Sequence, residues 1–141
     1  MFSQTVEYAM RAVVCLATNE ERMMGAVEIS SSTDVPQSYL IKVLQQLSRN
    51  GIVHSRRGKG GGFALARSSR EISLLDIITA VDPIKRIKTC PLNLPSHCKS
   101  LCPLHSKLDT SFAELESSLG NAYVSEMIDK PTRKTRARNQ T

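Results

Sequence analysis

Between Pro36 and Asn50 the apolar residues Leu40, Ile41, Val43, Leu44 and Leu47 form one stripe at helical spacing, and Gly51 stands where a left-handed C-terminal cap belongs. The period then changes. Ile52-Val53-His54-Ser55 and Phe63-Ala64-Leu65-Ala66 are short strand-like runs, joined by Arg56-Arg57-Gly58-Lys59-Gly60-Gly61-Gly62, a glycine-rich and positively charged hairpin tip. A helix that stops at a glycine and runs into a basic hairpin therefore fixes the middle of the chain.

The flanking segments read as helices. Val6, Ala9, Met10, Val13, Val14, Leu16 and Ala17 recur near every 3.6 residues, with Glu7 and Arg11 on the outer face. Ala26 to Thr33 has a short helical pattern around Val27 and Ile29; Asp34-Val35-Pro36 punctuates it, and Pro36 suits the first turn of the next helix. Ile72 to Val81 returns to helix, with Ser73 as N-cap and Asp76 at the third position inside. Leu108, Phe112, Leu115 and Leu119 are spaced four, three and four apart, the narrow seam of a helix that pairs with another, and Gly120 ends it. Tyr123 to Ile128 suits one more helical turn.

Two helices across a tight turn, followed by a basic hairpin, make a winged helix-turn-helix. The fold class expected is mainly α with a small β-hairpin, a DNA-binding domain followed by a long C-terminal dimerisation helix. The second helix of such a pair enters the major groove by its N-terminal residues, and the wing lies against the backbone or in the minor groove. The outward positions are Gln37, Ser38, Tyr39 and Lys42 on the helix, with Arg56, Arg57, Lys59 and Gly60 on the wing. Gln pairs with an adenine edge, and Lys suits guanine or phosphate. A nucleotide-cradling loop is excluded because Gly62 leads into strand-like Phe63-Ala64-Leu65-Ala66, not into a Ser/Thr that opens a helix.

Charge supports a polyanionic partner. The net charge of +6 is uneven: residues 130 to 141 hold five bases and no acid, which reads as a disordered tail. Arg49, Arg56, Arg57, Lys59, Arg67 and Arg70 fall in a stretch without a carboxylate, a pattern suited to double-stranded DNA. The N-terminal helix has only Ala12 to Ala17 as an uninterrupted apolar run, too short for a signal or a membrane span, so a cytoplasmic location is expected. No Ser-His-Asp pattern or paired-carboxylate motif is present, which argues against an enzyme.

Cys90 to His105, CPLNLPSHCKSLCPLH, contains three of the four cysteines, two of the three histidines and three of the six prolines. In a reducing compartment such thiols more often hold a metal or a cluster than form disulfides. Cys90, Cys98 and Cys102, with His105 close behind and His97 beside Cys98, suit an iron-sulfur cluster or a structural Cys3His zinc site equally well from spacing alone. A redox disulfide among them is a further reading, and a small electron-transfer iron-sulfur protein is a rival of another class. The basic wing and the lack of a fourth nearby cysteine speak against that last rival. Cys15, on the apolar face of the first helix, reads as a core residue.

EYAMRAV at 7–13, VPQSYLIKVLQQLSRNGIVHSRRGKGGGFALAR at 35–67 and SLLDIITAVD at 73–82 resemble the bacterial winged-helix iron-sulfur transcriptional regulators that include IscR and NsrR. The resemblance runs from residue 1 to about 128. It implies a DNA-binding homodimer on a palindromic operator, with a 2Fe-2S or 4Fe-4S iron-sulfur cluster bound through Cys90, Cys98 and Cys102. Its fourth ligand is implied to be His105, as in assembly-repressor-like members, or Glu7 from the partner chain, as in nitric-oxide-sensor-like members. The gaps between these cysteines, seven and three residues with prolines at 91, 95 and 103, depart from the five-and-five assembly-repressor loop. Cluster type and signal therefore do not carry over. The organisation expected is a DNA-binding domain at 1–84, a cysteine-rich cluster loop at 85–106, a dimerisation helix region at 107–129 and a basic tail at 130–141.

Overall fold

A computed structural model describes residues 2–86, 92 and 102–128. Helix α1 (Gln4–Thr18) is started by Ser3, whose hydroxyl accepts from the Val6 amide and so satisfies one of the free donors of the first turn. It is the central element and packs against α2 (Ala26–Thr33), α3 (Gln37–Arg49) and α4 (Leu74–Val81). Its buried positions include Val6, Ala9, Val13, Leu16 and Ala17, as the sequence pattern predicts, and add Tyr8 and Ala12.

The turn between α2 and α3 is made by Asp34 in the left-handed region, followed by the buried Val35, whose carbonyl accepts from the Ser30 hydroxyl. Asp is among the few side chains that adopt this conformation readily. Pro36 caps α3 from outside, one position earlier than expected. Leu40, Val43, Leu44 and Leu47 are buried against the core, whereas Ile41, assigned to the same stripe by its spacing, is 39% exposed. Gly51 has the positive φ expected of the residue after the C-cap.

Strands β1 (Val53–Arg56) and β2 (Gly62–Leu65) pair antiparallel, Val53 opposite Leu65 and Arg56 opposite Gly62. Each is shifted by one residue from its expected span. The tip side of β2 is fastened to the body: the Phe63 amide donates to the Met24 carbonyl at 2.8 Å and the Met24 amide to the Phe63 carbonyl at 2.9 Å.

Helix α4 begins with a full capping box, Ser73 Oγ accepting from the Asp76 amide and the Asp76 carboxylate accepting from the Ser73 amide. Helix α5 (Pro103–Gly120) starts inside the segment read as a ligand loop, because Pro103 at its first position presets a helical φ and needs no hydrogen-bonded amide there. None of its residues is fully buried; Leu108, Phe112, Leu115 and Leu119 are half-buried. After α5 the chain returns to the body. Val124, wholly buried in a short 3-10 turn (Val124–Met127), donates to the Ile72 carbonyl, and the Leu74 amide donates to the Ala122 carbonyl. Among the described residues no helix is long and apolar enough to cross a membrane. The basic tail expected at 130–141 lies outside the described residues.

Candidate nucleic-acid interface and ligand segment

The start of α3 is fixed from below by Leu40, Val43 and Leu44, which are sunk in the core and hold the opposite side of the helix outward. Gln37, Ser38, Tyr39 and Lys42 are all exposed at this end of the helix. Gln45 is exposed too, a residue the sequence reading missed. Its signal was the same period: Ser38, Lys42 and Gln45 are four and three residues apart, which places them on one helical stripe.

Arg56, Arg57, Lys59 and Gly60 lie exposed along the hairpin and its tip. Gly58 and Gly60 have positive φ, and the Gly61 amide closes the tip by donating to the Gly58 carbonyl at 3.0 Å. A side chain at Gly61 would meet the Arg56 carbonyl oxygen at 2.1 Å, so the tight tip depends on glycine. Arg56 lies along the body, its Nη2 3.6 Å from the Met23 sulfur. Arg57 and Lys59 form no ion pair among the described residues and present their charge to solvent.

A contact absent from the sequence reading joins this face to α1. The Tyr39 ring meets the Tyr8 ring edge-on, centroids 6.0 Å apart and planes at 68°, and the Arg11 guanidinium lies 5.7 Å from the Tyr8 centroid.

Of the ligand segment, Cys90, His97 and Cys98 lie outside the described residues. Cys102 is a buried free thiol at the N-cap of α5, and its carbonyl accepts from the Ser106 amide. A thiolate ligand at this position carries its charge at the positive end of the helix. His105, half-buried, follows in the first turn of α5, at the three-residue spacing that puts two side chains on neighbouring positions of a helix surface. The donor chemistry of this pair, thiolate and imidazole, suits an iron-sulfur cluster or zinc. Glu7 is exposed on α1 and lines an apolar groove with Met10, Arg11, Val14, Leu74 and Leu119. Within one chain Glu7 is not gathered with Cys102 and His105: among the described residues no three His, Cys, Asp or Glu side chains form a metal-sized group.

The segment before the cysteines is tied to α5. Arg86 donates through Nε to Asp109 at 2.8 Å, with Nη2 2.7 Å from the same oxygen and Nη1 3.5 Å from Glu116. These carboxylates hold the guanidinium firmly protonated. On α1, Cys15 lies with its sulfur 3.9 Å from the Met24 sulfur, and burial raises its thiol pKa. That placement agrees with a packing role.

Comparisons with known proteins place this architecture. A solved structure of T. potens IscR is 22% identical and superposes with a TM-score of 0.74, covering 100% of this chain and 91% of that one. The structure of CymR, the global cysteine regulator of B. subtilis, is 21% identical with a TM-score of 0.70, covering 90% and 95%. At these identities the likeness establishes the winged-helix fold. A sequence relative from Aquifex aeolicus (strain VF5), assigned to the HTH-type transcriptional regulators, is 30% identical over 133 residues, 92% of each chain. These relatives are regulators and not enzymes. The model of the Rrf2 family, described as iron-dependent transcriptional regulators, matches residues 2–130, and the chain belongs to that family.

Proposed function

We propose that this regulator acts as a homodimer on a palindromic DNA operator, as a repressor whose affinity depends on an iron-sulfur cluster held by Cys90, Cys98 and Cys102. The fourth ligand is His105 or a Glu7 contributed by the partner subunit. The observation that supports the reading is the pairing of exposed polar residues on α3 and a basic wing with a buried cysteine at the start of α5. A bound cluster supplies a group that iron shortage, oxidants or nitric oxide can alter. The chain's own residues do the rest. Gln37, Ser38, Tyr39 and Lys42 address the groove, while Arg56, Arg57, Lys59 and the backbone at Gly60 address phosphates. Cys102 and His105 place ligand atoms in the first turn of α5, so a change of ligation acts on that helix. The half-buried seam of α5 and the apolar groove on α1 are the surfaces that a second copy covers.

The test is anaerobic purification, followed by iron and acid-labile sulfide analysis and duplex titration with and without the cluster. Cys98→Ala is expected to abolish visible absorbance while the protein stays dimeric, and removing the cluster is expected to shift duplex affinity. About one zinc per chain without iron or sulfide would replace the sensing role by a structural one. Absence of any salt-sensitive duplex binding would favour electron transfer instead.

A further inference from the structure

Tyr8 contacts two side chains that have different neighbours. It is 9% exposed and belongs to the core. The Tyr39 ring, in the first turn of α3 and 54% exposed, meets its ring edge-on. The Arg11 guanidinium lies 5.7 Å from the same ring's centroid. Among the described residues Arg11 forms no ion pair, and besides the Tyr8 ring it borders the α1 groove beside Glu7. An exposed tyrosine loses rotamer freedom when it binds a partner, and a fixed ring beside it removes part of that loss beforehand. The edge-to-face contact does this for Tyr39. The cation over Tyr8 in turn holds the ring that holds Tyr39.

We infer that Tyr8 is a positioning residue for the DNA contact of Tyr39, and that Arg11 acts on DNA affinity through Tyr8 and not by its charge alone. The inference rests on the reading of α3 as the DNA-contacting helix. It connects the edge of the α1 groove to that helix in two side-chain contacts.

The experiment is a set of double-mutant cycles on the full chain. Dissociation constants are measured by fluorescence anisotropy for a duplex selected by the wild-type protein from a random pool, with thermal melts as a folding control. Arg11→Gln is expected to weaken binding about three- to tenfold when Tyr39 is present and to have little further effect in a Tyr39→Leu background. Tyr8→Phe, which keeps the ring, is expected to preserve wild-type affinity, and Tyr8→Leu to lose it. Equal losses from Arg11→Gln in both backgrounds, or none in either, would overturn the relay. Arg11 and Tyr39 are both exposed, so this cycle decides the matter even if Tyr8→Leu fails to fold. If Tyr39→Leu leaves affinity unchanged while other α3 substitutions reduce it, the relay fails and the DNA-binding reading survives; if none of them reduces it, the underlying reading fails.

Discussion

Gly62 lies so close to Met24 that a Cβ at position 62 would sit 2.5 Å from the Met24 carbonyl oxygen. Its φ of 136° is a second barrier to any side chain. This close approach lets the neighbouring Phe63 make both of its backbone hydrogen bonds to Met24, and those bonds set the wing's angle to the body. Gly62→Ala is expected to destabilise the fold by about 1–3 kcal/mol, from backbone strain together with a loosened attachment of β2 to Met24. Urea unfolding measures the loss, and duplex titration of the same variant should show weaker binding.

Wing and helix should separate in their effects on DNA. Arg57 is exposed on the hairpin, so Arg57→Ala is expected to lower affinity for all duplexes alike and to reduce the salt slope by roughly 0.9. Gln37→Ala and Ser38→Ala are expected to cost about 1–3 kcal/mol against a preferred sequence and little against random DNA. Salt titrations on both kinds of duplex check this; uniform losses from all three substitutions would contradict the division of labour.

Ser73 has two tasks, capping α4 through its side chain and bridging to Tyr123 through its backbone. Ser73→Ala removes only the first. A loss of about 0.5–2 kcal/mol is expected from the missing cap. Calorimetry measures it, and duplex affinity at temperatures well below the melting point should be unchanged.

Cys15 provides a pH signature. Burial raises its thiol pKa in the folded state, with the Glu28 charge adding to the effect. Because the folded value lies above the unfolded one, the protonated thiol contributes stability that is fully present below the ordinary thiol range. That contribution is lost as pH climbs through the raised value. In a variant with Cys90, Cys98 and Cys102 replaced by Ser, alkylation of Cys15 should be slow and should inflect at higher pH than a free cysteine. An inflection matching the denatured chain would reject the half-buried placement.

Local signals carried most of the architecture. The Gly51 cap, the Ser73–Asp76 box and the hairpin glycines each act within a few residues, so their chemistry is visible in a linear reading. Errors arose where tertiary contacts decide. Ile41 has core-like spacing but stays on the outer face beside Lys42. Pro103 falls in the segment read as a loop, although a proline at a first helical position is equally favourable, and so Cys102 caps α5 and His105 lies in its first turn. The Met24–Phe63 bridge and the Tyr8–Tyr39 contact join residues far apart in sequence, and no local pattern announces either.

The return of the chain beyond Gly120 makes α5 a lever anchored at its C-terminal end. Its C-terminal end is welded to the winged body by the Val124–Ile72 and Leu74–Ala122 hydrogen bonds, while its other end carries Cys102. With a rise of about 1.5 Å per residue the arm is roughly 27 Å long, so a tilt of about 5° at the weld corresponds to a swing of about 2 Å at the cysteine. A small rearrangement at the cysteine end is thus carried along the arm to the strand-like pairing beside Ser73, the cap of a helix that lies directly against α1 and α3.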